Sequence, residues 1–429
     1  MRLVDHVQSG DWLTRARIRL WAAALLGFST LALLVVAATS DGWTDYQGRP
    51  LATDFSCFWT AGQFVLEGKP ALAFDPPALH ALQIATFGPE TPFYGWLYPP
   101  FFLLVAGLLA AMPYPVALAS WLAVTILLYL VSIRAILRTA SAAGAGPGAP
   151  APDPLWLLLA LAFPAVFVTI GHGQNGFLTA ALLGGALAVV DRRPILAGVL
   201  LGLLVYKPQF GLLIPLALVA GGRWRTAMAA TVTVVAFAGV TQVLFGPEPW
   251  RAFLAESGAM RTQVLESGSA GWHKLHGVFA WTRMWGGSVG LAYALHAAVA
   301  VPAAIAVAWA WWAPVRPALR AAALLVGTLV VAPHSHDYDL MLLAPAMAFL
   351  VTDAMRHGFD QSEKTLFAVV FVMPLFTRVV AEHGLLPLGT IAALALLVTI
   401  MRRCIKVARA QSRPAASSRR ESLQTPVVS

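Results

Sequence analysis

Apolar residues along the chain form thirteen stretches, separated by short segments that contain Pro, Gly and Arg. A helix needs about 20 apolar residues to cross the hydrocarbon core of a bilayer, and about 17 is a lower limit. Several stretches reach this length, beginning with Leu20–Ala38, and several fall short. The pattern predicts an all-α polytopic membrane protein with a single transmembrane domain over residues 20–401.

Two longer polar segments, 40–96 and 246–289, interrupt the apolar pattern. The first is too polar to cross lipid but rich in aromatic residues, which favours short helices at the membrane interface. Residues 1–19 are predicted to form a cytoplasmic N-terminus and residues 402–429 a disordered basic tail. The Gly-, Ala- and Pro-rich segment Ala140–Pro154 has the composition of a flexible linker.

The orientation follows from the arginines, because loops rich in Lys and Arg stay in the cytoplasm. Arginines between the stretches place segments 40–96, 171–176, 246–289 and 334–339 on the opposite, periplasmic side. Both termini are then cytoplasmic, which requires an even number of spans. We therefore expect about twelve, with stretch 97–112, or one of the short stretches between 177 and 221, re-entrant or broken.

Composition supports the membrane assignment and limits the function classes. Hydrophobic residues make up 59% of the 429 residues and charged residues 11%, with a mean hydropathy of +0.72, against roughly 25% charged in soluble domains. The net charge is +9, and the two ends supply nearly all of it. That placement indicates retention of the ends on the cytoplasmic face and argues against nucleic-acid binding. Cys57 and Cys404 lie too far apart in sequence to suggest a disulfide framework or a zinc site.

Asp54 is the first polar residue that a membrane span does not explain. It stands beside Phe55, Phe58 and Trp59, whose rings can shield it from bulk water. A carboxylate in that setting can act as a general base towards a hydroxyl group. A Thr-Asp pair before an apolar run is equally typical of a helix cap.

A second polar cluster is the run Gly-His-Gly-Gln-Asn-Gly over residues 171–176. Its glycines allow a ligand to approach the backbone. His172, Gln174 and Asn175 offer hydrogen bonds to hydroxyl groups or phosphate. Asn-Gly is also a common turn dipeptide, so an ordinary turn explains the run as well.

Further candidates for contact with a phosphate are Lys207, His334, His336 and Arg283. Lys207 stands between two short apolar stretches, where an ionisable group is either functional or extends to the interface. The two histidines are followed by two aspartates, but a spacing of i, i+2 does not place side chains on one helix face, so no metal site is assigned. They can bond a phosphate or Asp54, or belong to a capped loop. Arg283 alternates with tryptophans in segment 246–289, as in an interface belt.

Taken in order, these motifs resemble glycosyltransferase family 87 of the GT-C superfamily. The matching segments are Asp54-Phe55 with Phe58-Trp59, Ala61-Gly62, Gly68 and Phe74-Asp75-Pro76, then Tyr98-Pro99-Pro100, Gly173-Gln174-Asn175, Ala197-Gly198, Lys207-Pro208 and Pro333-His334-Ser335. The similarity covers roughly residues 50–350. The family includes polyprenyl-phosphomannose-dependent mannosyltransferases and a related arabinofuranosyltransferase.

The resemblance implies a GT-C bundle in a bacterial inner membrane, with its active site on the periplasmic face. It implies a polyprenyl-phosphate sugar donor, a glycolipid or glycan acceptor and an inverting reaction that uses no metal or cofactor. Asp54 would be the catalytic base, and His334 or His336 would act near the acid or the phosphate. Mannose is the sugar expected from the family, and arabinofuranose fits as well.

The main alternative is a multispanning transporter or lipid flippase, since broken helices and polar groups within the membrane are typical of those proteins too. The chain lacks an evident internal repeat, and its polar groups concentrate on one side. A polysaccharide polymerase or ligase and a non-catalytic assembly factor are further alternatives.

Overall fold

The computed structural model describes residues 3–142, 153–269 and 271–412, and the fold of this part of the chain is nearly all-α. Its α-helices, in chain order, are α1 (Leu3–Ser9), α2 (Arg15–Ala38), α3 (Thr53–Leu66), α4 (Pro76–Phe87), α5 (Leu103–Ala110), α6 (Tyr114–Ala142), α7 (Leu155–Ala162), α8 (Pro164–His172), α9 (Gly176–Val189), α10 (Pro194–Gly202), α11 (Leu213–Ala220), α12 (Trp224–Phe245), α13 (Glu248–Met260), α14 (Val278–Met284), α15 (Val289–Trp312), α16 (Pro317–Val331), α17 (Leu343–His357), α18 (Glu363–Val372), α19 (Thr377–Gly384) and α20 (Leu388–Ser412).

Short helical turns of other types join several of these helices. The 3₁₀ turns are Pro70–Phe74, Pro100–Phe102, Leu203–Tyr206, Pro208–Gly211, Trp272–Lys274, Asp337–Leu342 and Met373–Leu375, and Arg261–Glu266 is a π-helical turn. Two short strands, β1 (Leu275–His276) and β2 (Ser335–His336), pair antiparallel, with Leu275 opposite His336. The second polar loop is thereby joined to the loop that carries the histidines.

Six helical segments of the described residues are long and apolar enough to cross a membrane: Arg15–Ala38, Tyr114–Thr139, Trp224–Phe245, Val289–Trp312, Asp337–His357 and Leu388–Gln411. Two bent pairs raise the number to eight, α7 with α8 (50°) and Glu363–Leu375 with α19 (74°). The chain is thus a multi-pass membrane protein, but the expected count of about twelve spans is not confirmed. Prolines at positions 164, 208 and 374 start the second piece of an interrupted stretch or lie at the interruption, where the missing N–H ends regular helix.

Stretch 97–112 forms only the turn Pro100–Phe102 and the eight-residue helix α5, which is largely buried against α3. A glycine makes this packing possible. A Cβ on Gly62 of α3 would lie 2.1 Å from the carbonyl oxygen of Ala106 in α5. The first polar loop, 40–96, contains the helices α3 and α4, and α5 packs against α3. The expected position of these helices at the membrane interface is not confirmed.

The expectation of a disordered tail from residue 402 is wrong for residues 402–412, which continue α20. The reason is that two basic residues there pair with carboxylates of other segments. Arg403, 4% exposed, pairs with Asp353 and Glu363, and Lys406 pairs with Asp360. Residues 413–429, like most of the predicted linker at 140–154, lie outside the described residues.

Candidate functional site

Asp54 lies in the first turn of α3 but does not cap the helix. The N-cap is Ala52, which has a left-handed backbone (φ 56°) and makes no side-chain cap bond. The side chain of Asp54 is 27% exposed and reaches towards the turn between α8 and α9. The capping explanation therefore does not account for Asp54, whereas Asp75 does cap α4 by accepting from the amide of Ala78.

The turn between α8 and α9 touches the start of α3 because Gly173 has no side chain. Gly173 ends α8 with a left-handed backbone (φ 61°). A Cβ at this position would lie 2.5 Å from Cβ of Phe55 and 2.9 Å from Cβ of Ala52. Only glycine combines that backbone with that distance, so the run 171–176 is more than an ordinary turn.

Gln174 connects this turn directly to Asp54. Its Nε2–H donates to Oδ2 of Asp54 over 3.1 Å. Its Oε1 accepts from the Tyr98 hydroxyl (3.1 Å) and from the amide of Asn175 (2.9 Å). Two donors on Oε1 fix which end of the amide faces the carboxylate. Burial raises the pKa of Tyr98 well above its usual value, so its hydroxyl remains a donor.

His172 lies on the other side of Asp54. Its Nδ1 is 2.7 Å from the hydroxyl oxygen of Thr53 and 3.8 Å from Oδ1 of Asp54. Its Nε2 accepts a hydrogen bond from Nη2 of Arg378 over 3.0 Å. The same Nη2 of Arg378 donates to Oδ2 of Asp337. One chain of contacts therefore leads from Asp337 to the start of α3.

Lys207 is buried, 3% exposed, and does not extend to an interface. Its ammonium donates to Oδ1 of Asp339. The other oxygen of Asp339 accepts from the backbone amide of His336 over 2.9 Å. The ring of Tyr338 lies 5.1 Å from the ammonium and stacks on the ring of His336. In this structure Lys207, through Asp339, holds in place the loop that carries His334 and His336, here called the histidine loop.

Burial controls the ionisation of the histidines in this loop. It lowers the pKa of His334 to about 4, with a smaller contribution from His336. It lowers the pKa of His336 as well, and the carboxylates of Asp339, Asp337 and Asp54 oppose that shift. Both rings are therefore neutral at neutral pH and bond through N–H groups and lone pairs. Within the described residues, no hydrogen-bond partner reaches Nδ1 of His334.

Asn175 is fully buried beside Gln174, and neither polar atom of its side chain has a partner among the described residues. The neighbouring Gly176 starts α9. A Cβ there would lie 2.6 Å from the carbonyl oxygen of Tyr338. The last glycine of the run therefore lets the histidine loop approach the turn that holds Asp54.

Asp54, His172, Gln174, Arg378 and the histidine loop form one cluster of polar residues. No described contact brings Arg283 to this cluster. Its guanidinium donates to the backbone oxygens of Glu266 and Gly287 and lies over the ring of Trp272 at 4.8 Å. These contacts organise segment 261–289 itself. Among residues 3–142, 153–269 and 271–412, no group of three or more His, Cys, Asp or Glu side chains could hold a metal ion.

Arg378 is the residue of this cluster that sequence reasoning missed. It stands within the apolar stretch 364–381, and an ionisable residue in such a stretch is a functional candidate by default. That rule singled out Lys207 and would have found Arg378. The contacts of Thr53 with His172 and of Asp337 with Arg378 carry no comparable signal, because only the fold brings these residues together.

Comparison with known proteins agrees with the motifs. The family model described as glycosyltransferase family 87 matches residues 96–333, more than half of the chain. The match includes Gln174 and Lys207, whereas Asp54, His334 and Arg378 lie outside its limits. No curated protein and no solved structure matches the chain. Because the family model covers more than half of the chain, including the turn that contacts Asp54, the chain belongs to glycosyltransferase family 87, and it is a membrane glycosyltransferase.

Proposed function

We propose that this protein transfers a sugar from a polyprenyl-phosphate donor to a hydroxyl group of a glycolipid or glycan acceptor, with inversion at the anomeric carbon. Asp54 takes the proton of the acceptor hydroxyl while the hydroxyl oxygen attacks the anomeric carbon. The bond from that carbon to the phosphate oxygen breaks, and polyprenyl phosphate leaves with the electron pair.

The observation that carries the proposal is the setting of Asp54. Gln174 and the Thr53–His172 pair hold its carboxylate from two sides, and the side chain is still 27% exposed. Oδ2 accepts from Gln174, while Oδ1 has two longer contacts, 3.4 Å to the Thr53 hydroxyl and 3.8 Å to Nδ1 of His172. A general base needs an oxygen within hydrogen-bond reach of the substrate. Oδ1 is the oxygen that suits this task.

The leaving phosphate needs donors as negative charge develops on it. The free Nδ1 edge of His334 and the ring of His336 supply neutral donors on the side of the cluster that Lys207 supports. Lys207 itself is already neutralised by Asp339. We therefore assign Lys207 to holding the histidine loop, and His334, His336 and the amide of Asn175 to contact with donor sugar or phosphate.

The charges at the two ends of the helices support a periplasmic site. The helical segment Asp337–His357 has the cluster at its start and Asp353, which pairs with Arg316 and Arg403, near its end. The 16 residues from Asp337 to Asp353 span about 24 Å at 1.5 Å per residue. Helix α9 likewise has Asn175 just before its start and Asp191, which pairs with Arg223 and Arg320, just after its end. Arginine-rich ends face the cytoplasm, so the Asp54 end faces the periplasm, in a GT-C-type bundle in a bacterial inner membrane.

The donor class follows from what the chain offers a phosphate. The sequence has no glycine-rich phosphate loop for a soluble nucleotide sugar, and the cluster lies among membrane helices. A lipid-borne phosphate fits this location. Mannose is the first sugar to test and arabinofuranose the second, because both occur among the donors of the family that the motifs resemble.

Purified protein in lipid vesicles, given labelled polyprenyl-phosphate mannose or arabinofuranose and a mixture of envelope glycolipids, tests the proposal. We expect labelled product from the wild type and at least a 100-fold lower rate from Asp54→Asn, within the range for removal of a general base. Asp75→Asn is the matched control, because asparagine still caps α4 and the rate should not change. Transfer by Asp54→Asn at the wild-type rate would exclude Asp54 as the base.

The two bent helix pairs are the observation that favours a transporter or flippase, since broken helices occur in those proteins. The same vesicles distinguish the alternatives. Movement of labelled lipid between leaflets without formation of a glycosidic bond would support the transporter and overturn the enzyme.

A further inference from the structure

Arg378 owes its position to the break between α18 and α19. The chain bends by 74° at Phe376, and Arg378 is the second residue of α19. The bend directs its side chain towards the end of α8, where it meets His172. The guanidinium remains 36% exposed, and its Nε has no partner among the described residues. Arg378 therefore contacts the cluster from outside the core.

The contacts of Arg378 decide which nitrogen of His172 carries hydrogen. A guanidinium only donates, so the ring nitrogen that it contacts, Nε2, must be an acceptor. The neutral ring then carries its hydrogen on Nδ1, and Nδ1 is 2.7 Å from the hydroxyl oxygen of Thr53. In this tautomer His172 is the donor and Thr53 the acceptor.

The tautomer in turn sets the direction of the next bond. With its oxygen accepting from His172, the hydroxyl of Thr53 is free to donate to Oδ1 of Asp54, 3.4 Å away. In the other tautomer Nδ1 would accept from Thr53, and the carboxylate would lose this donor. All donors in the chain from Arg378 through His172 and Thr53 thus point towards Asp54.

We propose that Arg378 is a positioning residue that sets the tautomer of His172 and through it holds Oδ1 of Asp54 ready to accept the proton of the acceptor. The role in catalysis rests on the proposed function, whereas the tautomer of His172 follows from its hydrogen bonds alone. Asp337 fixes Arg378 by accepting from the same Nη2 that contacts His172.

Direct binding of the donor phosphate is the competing role for Arg378, and kinetics separate the two. A positioning residue acts on the chemical step, so Arg378→Met should lower kcat about 10- to 100-fold and change KM for the lipid-phosphate sugar less than about twofold. In a His172→Phe background, Arg378→Met should cause little further loss. A large rise in KM, or losses that multiply in the double variant, would contradict the proposal.

Chemical rescue provides an independent test. Because Arg378 is partly exposed, guanidinium ions in millimolar concentration should restore part of the activity of Arg378→Ala. They should not restore Asp54→Asn. Arg320→Met, which removes a comparable arginine–carboxylate pair with Asp191 at the far end of α9, is the control and should keep the wild-type kcat. A rate in Arg378→Ala equal to that of the wild type would overturn the proposal.

A spectroscopic measurement keeps the structural claim testable whatever reaction the protein catalyses. In ¹⁵N-histidine-labelled protein, the signal of His172, assigned by its loss in His172→Phe, should show the Nδ1–H tautomer. Arg378→Met should shift it towards the other tautomer or a mixture. An Nε2–H signal in the wild type would refute the inference without bearing on sugar transfer, and wild-type protein without transfer would refute the proposed function alone.

Discussion

The side-chain amide of Gln174 donates to the carboxylate of Asp54 over 3.1 Å, although 120 residues separate them in the chain. This bond joins the start of α3 to the turn between α8 and α9. It also joins a residue within the limits of the family match to one outside them. The geometry of Asp54 is thus controlled from the turn, and variants of the turn should affect activity more than stability.

Gln174→Leu should lower the transfer rate about 10- to 100-fold, because the carboxylate loses a donor worth roughly 1–3 kcal/mol. Tyr98→Phe removes only the hydroxyl that orients the amide and should cost less, about three- to tenfold. The measurement is kcat on protein whose melting temperature has been checked. Full activity in Gln174→Leu would mean that the bond does not position Asp54.

Gly173→Ala should lower activity strongly, because a Cβ would press on Phe55 and Ala52 and adopt an unfavourable backbone. The matched control is Gly171→Ala, two residues earlier, where a Cβ meets nothing within 4 Å. We expect the control to transfer sugar at close to the wild-type rate. Equal losses in the two variants would show that the turn, and not its contact with α3, matters.

Gly62→Ala should destabilise the protein by about 1–3 kcal/mol or more, the usual cost of overpacking, because the added carbon would lie 2.1 Å from the Ala106 oxygen. Thermal unfolding in detergent measures the effect. Gly27→Ala in α2, where a Cβ meets nothing, should leave the melting temperature unchanged or slightly higher. A melting temperature of Gly62→Ala equal to that of the wild type would rule out the close contact between α3 and α5.

Lys207→Met should be severely destabilising, by about 3–5 kcal/mol, because it leaves the buried Asp339 without its cation. Adding Asp339→Asn removes the unpaired charge and keeps a side-chain oxygen for the amide of His336. The double variant should therefore be more stable than Lys207→Met alone. Additive losses in a double-mutant cycle would argue against the pair.

Stability should fall as the pH drops from about 6.5 to 4. His276 is buried, neither ring nitrogen has a described partner, and burial lowers its pKa to about 4. The unfolded chain then binds a proton at a higher pH than the folded protein does. The contribution is complete above pH 6.5, and up to about 3 kcal/mol is lost by pH 4. Melting curves of wild type and His276→Phe from pH 7.5 to 4.5 check this, and the variant should lose less.

Much of the architecture could be predicted from local pattern. The apolar stretches predict membrane helices because a bilayer accepts only long apolar helices with satisfied backbone groups, and the order of motifs indicated the family. The number of spans could not be predicted. Whether two short pieces such as α7 and α8 form one bent span depends on what packs around the bend, which periodicity does not contain.

In the candidate site, too, the sequence predicts some features and only the fold decides the others. The sequence by itself determined that Asp54, His172 and Gln174 are polar residues that lipid does not explain. Only the tertiary structure decided that Gln174 and His172 flank Asp54, that Lys207 is neutralised by Asp339 and that Arg283 belongs elsewhere. The physical reason is that hydrogen bonds and ion pairs act over about 3 Å, and close approaches at Gly173 and Gly176 bring together segments more than a hundred residues apart. Pro374 indicates a break in the helix before Arg378, but only the fold gives the direction of the 74° bend that brings Arg378 to His172.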